Sequence, residues 1–219
     1  CWRCVEACRF GALKRGRNTP LVDYEKCEGF GVCALACPAG AISFKPRRIG
    51  WLYATRTNLG QLVLTGELEL GGSNSGLLVY KLKEKGKELA FNLKADYVVV
   101  DAAPGIGCPV ISSISGADLL ILVVEPTPQS VKGAKRLLEI ARVLGVKSVA
   151  LVNKYNLNEE LSKQVAGELE IEVVGYVPHD KSVFEAYANM KPSLLYNPSS
   201  KSSVALLRLF KNLVEGWLT

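Results

Sequence analysis

From about residue 50 onward, hydrophobic positions gather into short solid runs. Residues 95–101 (ADYVVVD), 117–128 (ADLLILVVEPTP), 147–155 (KSVALVNKY) and 171–180 (IEVVGYVPHD) are apolar and rich in β-branched side chains. Such runs mark parallel strands buried on both faces. Between them the period changes. Over 128–144, Val131, Ala134, Leu137, Leu138, Ala141 and Leu144 recur at helical spacing, and 159–169, 182–189 and 202–217 read as further helices. Strand alternating with helix predicts an α/β fold, a mostly parallel sheet with flanking helices joined by right-handed crossovers. Ligands of such sheets bind at the carboxyl ends of the strands. Asp101, Glu125, Asn153 and Asp180 stand there.

Composition sharpens this picture. The 219 residues suit one medium domain plus a small one, and 48% hydrophobic residues supply a sizeable core. No apolar run approaches the roughly 18 residues of a membrane span, and the basic, cysteine-rich start carries no apolar signal region. Of seven cysteines, six lie within the first 37 residues and the last is Cys108. That clustering favours metal in a reducing cytoplasm over disulfides. The first residue is Cys1 and the sole methionine is Met190, so the chain is expected to be a fragment or a processed form.

The cysteines form a repeat. Shifted by 29 positions, Cys4 falls on Cys33, Cys8 on Cys37, Gly11 on Gly40, Ala12 on Ala41 and Leu13 on Ile42. The shared pattern, C-x3-C-x2-G-A-[LI], resembles the half-motif of bacterial two-cluster ferredoxins, C-x2-C-x2-C-x3-C-P. The second copy reads Cys27, Phe30, Cys33, Cys37, Pro38, with Phe30 in a ligand position. The first reads Cys1, Cys4, Cys8, and its opening cysteine would precede Cys1. The resemblance implies a ferredoxin-like domain over residues 1–48. By the family's rule that the fourth cysteine serves the other cluster, one [4Fe–4S] cluster takes Cys1, Cys4 and Cys37. The second site takes Cys27, Cys33 and Cys8. It is left open between a [3Fe–4S] cluster, a [4Fe–4S] cluster with a non-cysteine ligand, and no cluster. A pair of zinc-binding knuckles is the alternative to the ferredoxin reading. Residues 1–48 also carry nine Lys/Arg against four Asp/Glu, +5 of the formal net charge of +6. This basic rim is expected either to attract an acidic redox partner or simply to offset cluster charge. Nucleic acid is not expected, because no basic helix with interleaved aromatics appears.

Residues 49–219 complete a second resemblance. DYVVVDAAPGIGCPV, EPTP, VNKYN and VPHD, in that order, resemble the MinD/ParA-type P-loop ATPases, and in particular a subgroup carrying an inserted two-cluster ferredoxin domain. The resemblance implies Mg²⁺ and ATP or ADP as ligands and a homodimer when complete. It assigns Asp101 to the Walker B position near Mg²⁺ and Gly105 to the switch, where its N–H meets the γ-phosphate. Asn153 and Lys154 are assigned to the adenine-facing loop, and Pro178 and Asp180 to a second base-side loop. No G-x4-G-K-[ST] occurs; GGSNSGLL (71–78) is glycine-rich, but Leu77 stands where the family often places a lysine. An ATPase is therefore expected only where a P-loop segment accompanies these residues, and the 219 residues alone are expected to be inactive. Two functions compete at this stage: ATP-driven electron transfer through ferredoxin-type clusters, and iron–sulfur cluster carriage or assembly. The third reading is a non-catalytic, nucleotide-responsive binding module. A single histidine, His179, leaves little acid–base chemistry for an organic substrate.

Overall fold

The structure, a computed structural model, describes residues 1–70, 72 and 74–217. They divide into two compact units, Cys1–Ala103 with Cys108–Ser113, and Pro104–Gly107 with Ile114 onward. In the first unit, helix α1 (Arg3–Ala7) packs on α2 (Val32–Leu35), and between them in sequence lies a short hairpin, β1 (Leu13–Arg15) with β2 (Pro20–Val22). An antiparallel pair follows, β3 (Gly50–Arg56) with β4 (Leu62–Leu68), and α3 (Ser75–Leu93) lies on β4. Asn74 caps α3 by accepting the Leu77 N–H at 3.2 Å. Gly71 and Ser73 of the glycine-rich stretch lie outside the described residues. Cys108, which begins α4 (Cys108–Ile114), packs so closely that a β carbon on Gly76 would sit 2.9 Å from its own Cβ.

Two features of this unit differ from the sequence expectation. Residues 95–101 do not form a strand: Tyr97–Val100 lie outside every sheet and Val99 is 92% exposed. A strand persists by pairing, and no described strand pairs with this run. The β3–β4 hairpin and α3 are absent from the pattern reading. β3 is exposed along almost its whole length, so no buried face marks it, and α3 spreads its apolar positions around a continuous helix that carries Gly86 in its interior.

The second unit holds the predicted parallel sheet, in the order β5 (Leu119–Val124), β6 (Lys147–Asn153), β7 (Val173–Val177). Parallel neighbours need long crossovers, supplied by α5 (Pro128–Val143) and α6 (Glu159–Leu169). Thr127 opens α5, its hydroxyl accepting the Ser130 N–H at 3.2 Å, with Pro128 in the first turn. The helix stops where the N–H groups of Gly145 and Val146 turn back to the carbonyls of Arg142 and Ala141, a Schellman closure. α7 (Lys181–Ala188), α8 (Ser193–Tyr196) and α9 (Lys201–Trp217) complete the unit.

The sheet's two-residue alternation sorts its side chains. Leu122, Val124, Ala150 and Val152 face Val131, Ala134 and Leu138 of α5 and Val165 and Leu169 of α6. Val149, Leu151 and Val177 face Leu209 and Leu213 of α9. Each fully buried Val or Leu here contributes about 1.5–3 kcal/mol relative to exposure. One irregularity interrupts the ladder: Ala150 pairs with Val173 and Leu151 with Gly175, so Val174 is an extra residue in β7. No described helix is long and apolar enough to cross a membrane.

Candidate functional site

The repeat seen in the cysteines is a repeat of backbone. α1 and α2 each follow a left-handed residue, Trp2 at φ 65° and Gly31 at φ 79°, 29 positions apart. Val5 and Glu6 donate to the Trp2 carbonyl as Ala34 and Leu35 donate to that of Gly31. Gly11 donates to the Cys8 carbonyl and Gly40 to that of Cys37, both at 3.2 Å. Cys4 and Cys33 therefore occupy matching places on matching turns, as do Cys8 and Cys37.

All six thiols are free. Cys4 is buried, Cys1 is exposed, and Cys8, Cys27, Cys33 and Cys37 are half-buried. The Sγ of Cys37 accepts the Ala41 N–H at 3.4 Å. This bond, with those from Ala39 and Gly40, holds the thiol below its ordinary range, which favours the thiolate a metal needs. In donor type, and in their placement on two equivalent turns, these cysteines fit an iron–sulfur group. Their side chains do not converge: among the described residues no cluster of three or more His, Cys, Asp or Glu side chains is arranged to hold a metal ion. Phe30 stacks on Phe10, centroids 5.3 Å apart and rings 17° from parallel. The Phe44 ring lies against Gly31, where a β carbon would come within 3.1 Å of it.

In the second unit, the carboxyl ends of the strands gather several of the residues assigned to nucleotide. Glu125 follows β5, and its Oε1 pairs with Lys154 Nζ at 2.7 Å. Asn153 ends β6, and its side-chain oxygen accepts the Lys154 N–H at 3.0 Å, with Lys154 left-handed at φ 55°. The loops after β6 and β7 are tied together by Asn156, whose side-chain oxygen accepts the His179 N–H at 2.6 Å. Asn156 was not singled out from the sequence, although an Asn in a loop directly after a strand is a frequent backbone mimic. Gly105 is left-handed at φ 98°, a conformation that only glycine adopts without strain, and no atom lies within 4 Å of where a β carbon would stand. Asp101, in the first unit, is exposed.

Asp180 has a structural duty that its sequence position hid. One carboxylate oxygen accepts the Ser182 N–H at 2.9 Å and the other the Ser202 N–H at 3.1 Å, capping α7 and fastening the start of α9 to it. These bonds, that to Ser182 foremost, lower its pKa from 3.8 to about 2. A carboxyl depressed on folding adds stability that is fully present above its unfolded value and is lost as pH falls from 3.8 toward about 2. Asp180→Asn keeps an acceptor for Ser182 but turns an amide N–H toward the Ser202 N–H. The variant is expected to lose about 1 kcal/mol at neutral pH, and its stability should change less through the acid window. Urea midpoints at several pH values read both effects; parallel pH curves for the two proteins would show that Asp180 does not carry this dependence.

No family model matches the chain. An uncharacterized protein of Methanocaldococcus jannaschii is 31% identical over 215 residues, covering 98% of this chain and 71% of that protein. An uncharacterized ATP-binding protein of the same organism is 33% identical over 179 residues, covering 78% of this chain and 68% of that protein. Among solved structures, the septum site-determining protein MinD of Pyrococcus horikoshii, complexed with Mg-ADP, matches with a TM-score of 0.60 at 16% identity, over 77% of this chain and 70% of that one. That likeness is one of fold: a parallel α/β sheet with flanking helices.

Proposed function

This chain belongs to the MinD/ParA-type P-loop ATPase family, and from that premise we propose that it is an iron–sulfur member in which nucleotide binding governs electron transfer through ferredoxin-type clusters. The observation that carries the reading is the duplicated turn: the same left-handed entry, hydrogen bonds and cysteine positions, 29 residues apart. A duplicated, partly buried cysteine frame suits a resident cluster that moves electrons. Cys1, Cys4 and Cys37 would hold one cluster and Cys27, Cys33 and Cys8 the other. When bound, each cluster supplies one-electron chemistry.

The chain's own residues do the rest. Asp101 offers a carboxylate to Mg²⁺ or its waters, and Gly105 a backbone N–H to the terminal phosphate. Asn153 and Lys154 face the base, with Glu125 holding Lys154 in place, while Asp180 and Asn156 position the second loop. The basic surface of residues 1–48 draws in an acidic partner, and a homodimer is the expected working form.

The test begins with anaerobic reconstitution using iron and sulfide. Bound sulfide in step with iron is expected, and dithionite-reduced protein should pass electrons to an acidic one-electron acceptor such as flavodoxin, at a rate falling with salt. Zinc at full occupancy without sulfide would overturn the cluster assignment. Iron and sulfide recovered in an added apo-ferredoxin, with no electron passed, would overturn electron transfer in favour of cluster carriage.

A further inference from the structure

Beside β7 lies a groove that borders the nucleotide-assigned loops only at Tyr155 and Pro178 and otherwise runs away from them. It is an open cleft of about 800 Å³ between α6 and α9. Its floor is aromatic: Tyr155 and Tyr176 meet edge to face, centroids 6.0 Å apart. Its walls are cationic, with Lys163 from α6 and Lys201 and Arg208 from α9, against one carboxylate, Glu159. None of the three cations is engaged in an ion pair among the described residues. β7 pairs with β6 on one side, and no described strand pairs with it on the other. In a strand paired on one side, alternate residues turn their N–H and C=O groups outward, unmatched. The cleft meets the unpaired edge of β7 at Tyr176 and joins to it two phenol rings and an excess of positive charge.

We propose that this groove binds an extended acidic segment of a partner protein, added to β7 as a fourth, edge strand. Backbone hydrogen bonds along β7 set the register. The peptide's acidic side chains meet Lys163, Lys201 and Arg208, and its alternate apolar side chains lie on Tyr155 and Tyr176. The charge excess selects acidic sequences, and the open edge selects extended ones. A single-stranded nucleic acid would use the same cations and rings but not the strand edge, and that difference decides the test.

The probe is a fluorescein-labelled octapeptide alternating Glu with Val and Tyr, followed by anisotropy on the whole chain at low and at physiological salt. Saturable binding is expected, weakening with salt. The exposed substitutions Lys163→Glu and Arg208→Glu should each weaken it at least tenfold without moving the thermal midpoint. The same peptide N-methylated at alternate residues, unable to pair along an edge, should lose at least tenfold on one of its two registers of methylation and little on the other. Equal binding of both methylated forms and the parent would reduce the groove to a charge patch and overturn strand addition. Absence of binding by the parent peptide, or unchanged affinity in both charge variants, would overturn the site. Tighter binding of a twelve-nucleotide oligo-dT, lost in the same variants, would replace the peptide by nucleic acid.

Discussion

On the proposed cluster assignment, Phe30→Cys is expected to give a four-iron cluster at Cys27, Cys33 and Cys8 where the wild type gives a three-iron one. Phe30 stands 29 positions after Cys1, in the place of a ligand, and a phenyl ring donates nothing to iron. The structure adds that this ring is already engaged in the stack with Phe10, beside Phe44 at Gly31. A cube lacking one thiolate loses the iron at that corner, and the Phe10–Phe30 stack puts carbon, not a ligand, at position 30. Wild-type protein is therefore expected to show a three-iron EPR signal when oxidised, absent from Cys33→Ser but retained in Cys4→Ser. Phe30→Cys should abolish that signal and yield one that develops only on reduction. Loss of the stack costs stability of about 0.5–1.5 kcal/mol, small enough to leave the fold intact. Two four-iron clusters in the wild type would sink the three-iron assignment while leaving the ferredoxin reading standing.

Gly175→Val is expected to be the most damaging single change in the second unit. The extra residue in β7 turns both Val174 and Gly175 toward α9. Only one side chain fits. A β carbon at position 175 would collide with Leu209 Cδ1 and stand 3.1 Å from its Cγ and 3.4 Å from its Cβ. Leu209 is 3% exposed and packed within the core, so it cannot swing clear. Overpacking of this kind costs about 1–3 kcal/mol, and the branched valine should sit at or above the upper end. A domain has about 5–15 kcal/mol in total, so the urea midpoint should fall sharply. Leu209→Ala alone loses about 2–5 kcal/mol, yet the double variant should be far more stable than the sum of the two predicts, because each change makes room for the other. Strict additivity would show that the two positions do not compete for one space.

The second unit was largely legible because its signals are local. Buried parallel strands read as solid β-branched runs, and α5 carries both its apolar period and its Thr-Pro start in sequence. The cysteine repeat was legible because identity at fixed spacing survives without any structure. Other features depend on partners far along the chain. Tyr97–Val100 has the composition of a strand, but pairing decides, and composition cannot supply it. The double duty of Asp180 rests on Ser202, 22 residues away. The pairing of Glu125 with Lys154 joins two strand ends that only the sheet brings side by side. The β3–β4 hairpin lies largely in solvent, so the inside–outside contrast from which patterns are read is faint there.

The supernumerary Val174 acts as a phase shifter. Were the same residues held in strict alternation from Val173 with no bulge, position 176 would face α9 and position 177 the other side. With it, Val177 lands in the α9 core and Tyr176 meets Tyr155 on the opposite face. Beyond the sheet, past Pro178, the His179 backbone meets Asn156 and the Asp180 carboxylate meets two helix starts. The bulge thus absorbs one residue and leaves the strand beyond it facing as a strand without Val174 would face. Removal of Val174 should therefore leave Tyr176 and Val177 on their present faces, whereas removal of Tyr176 would carry Val177 out of the α9 core.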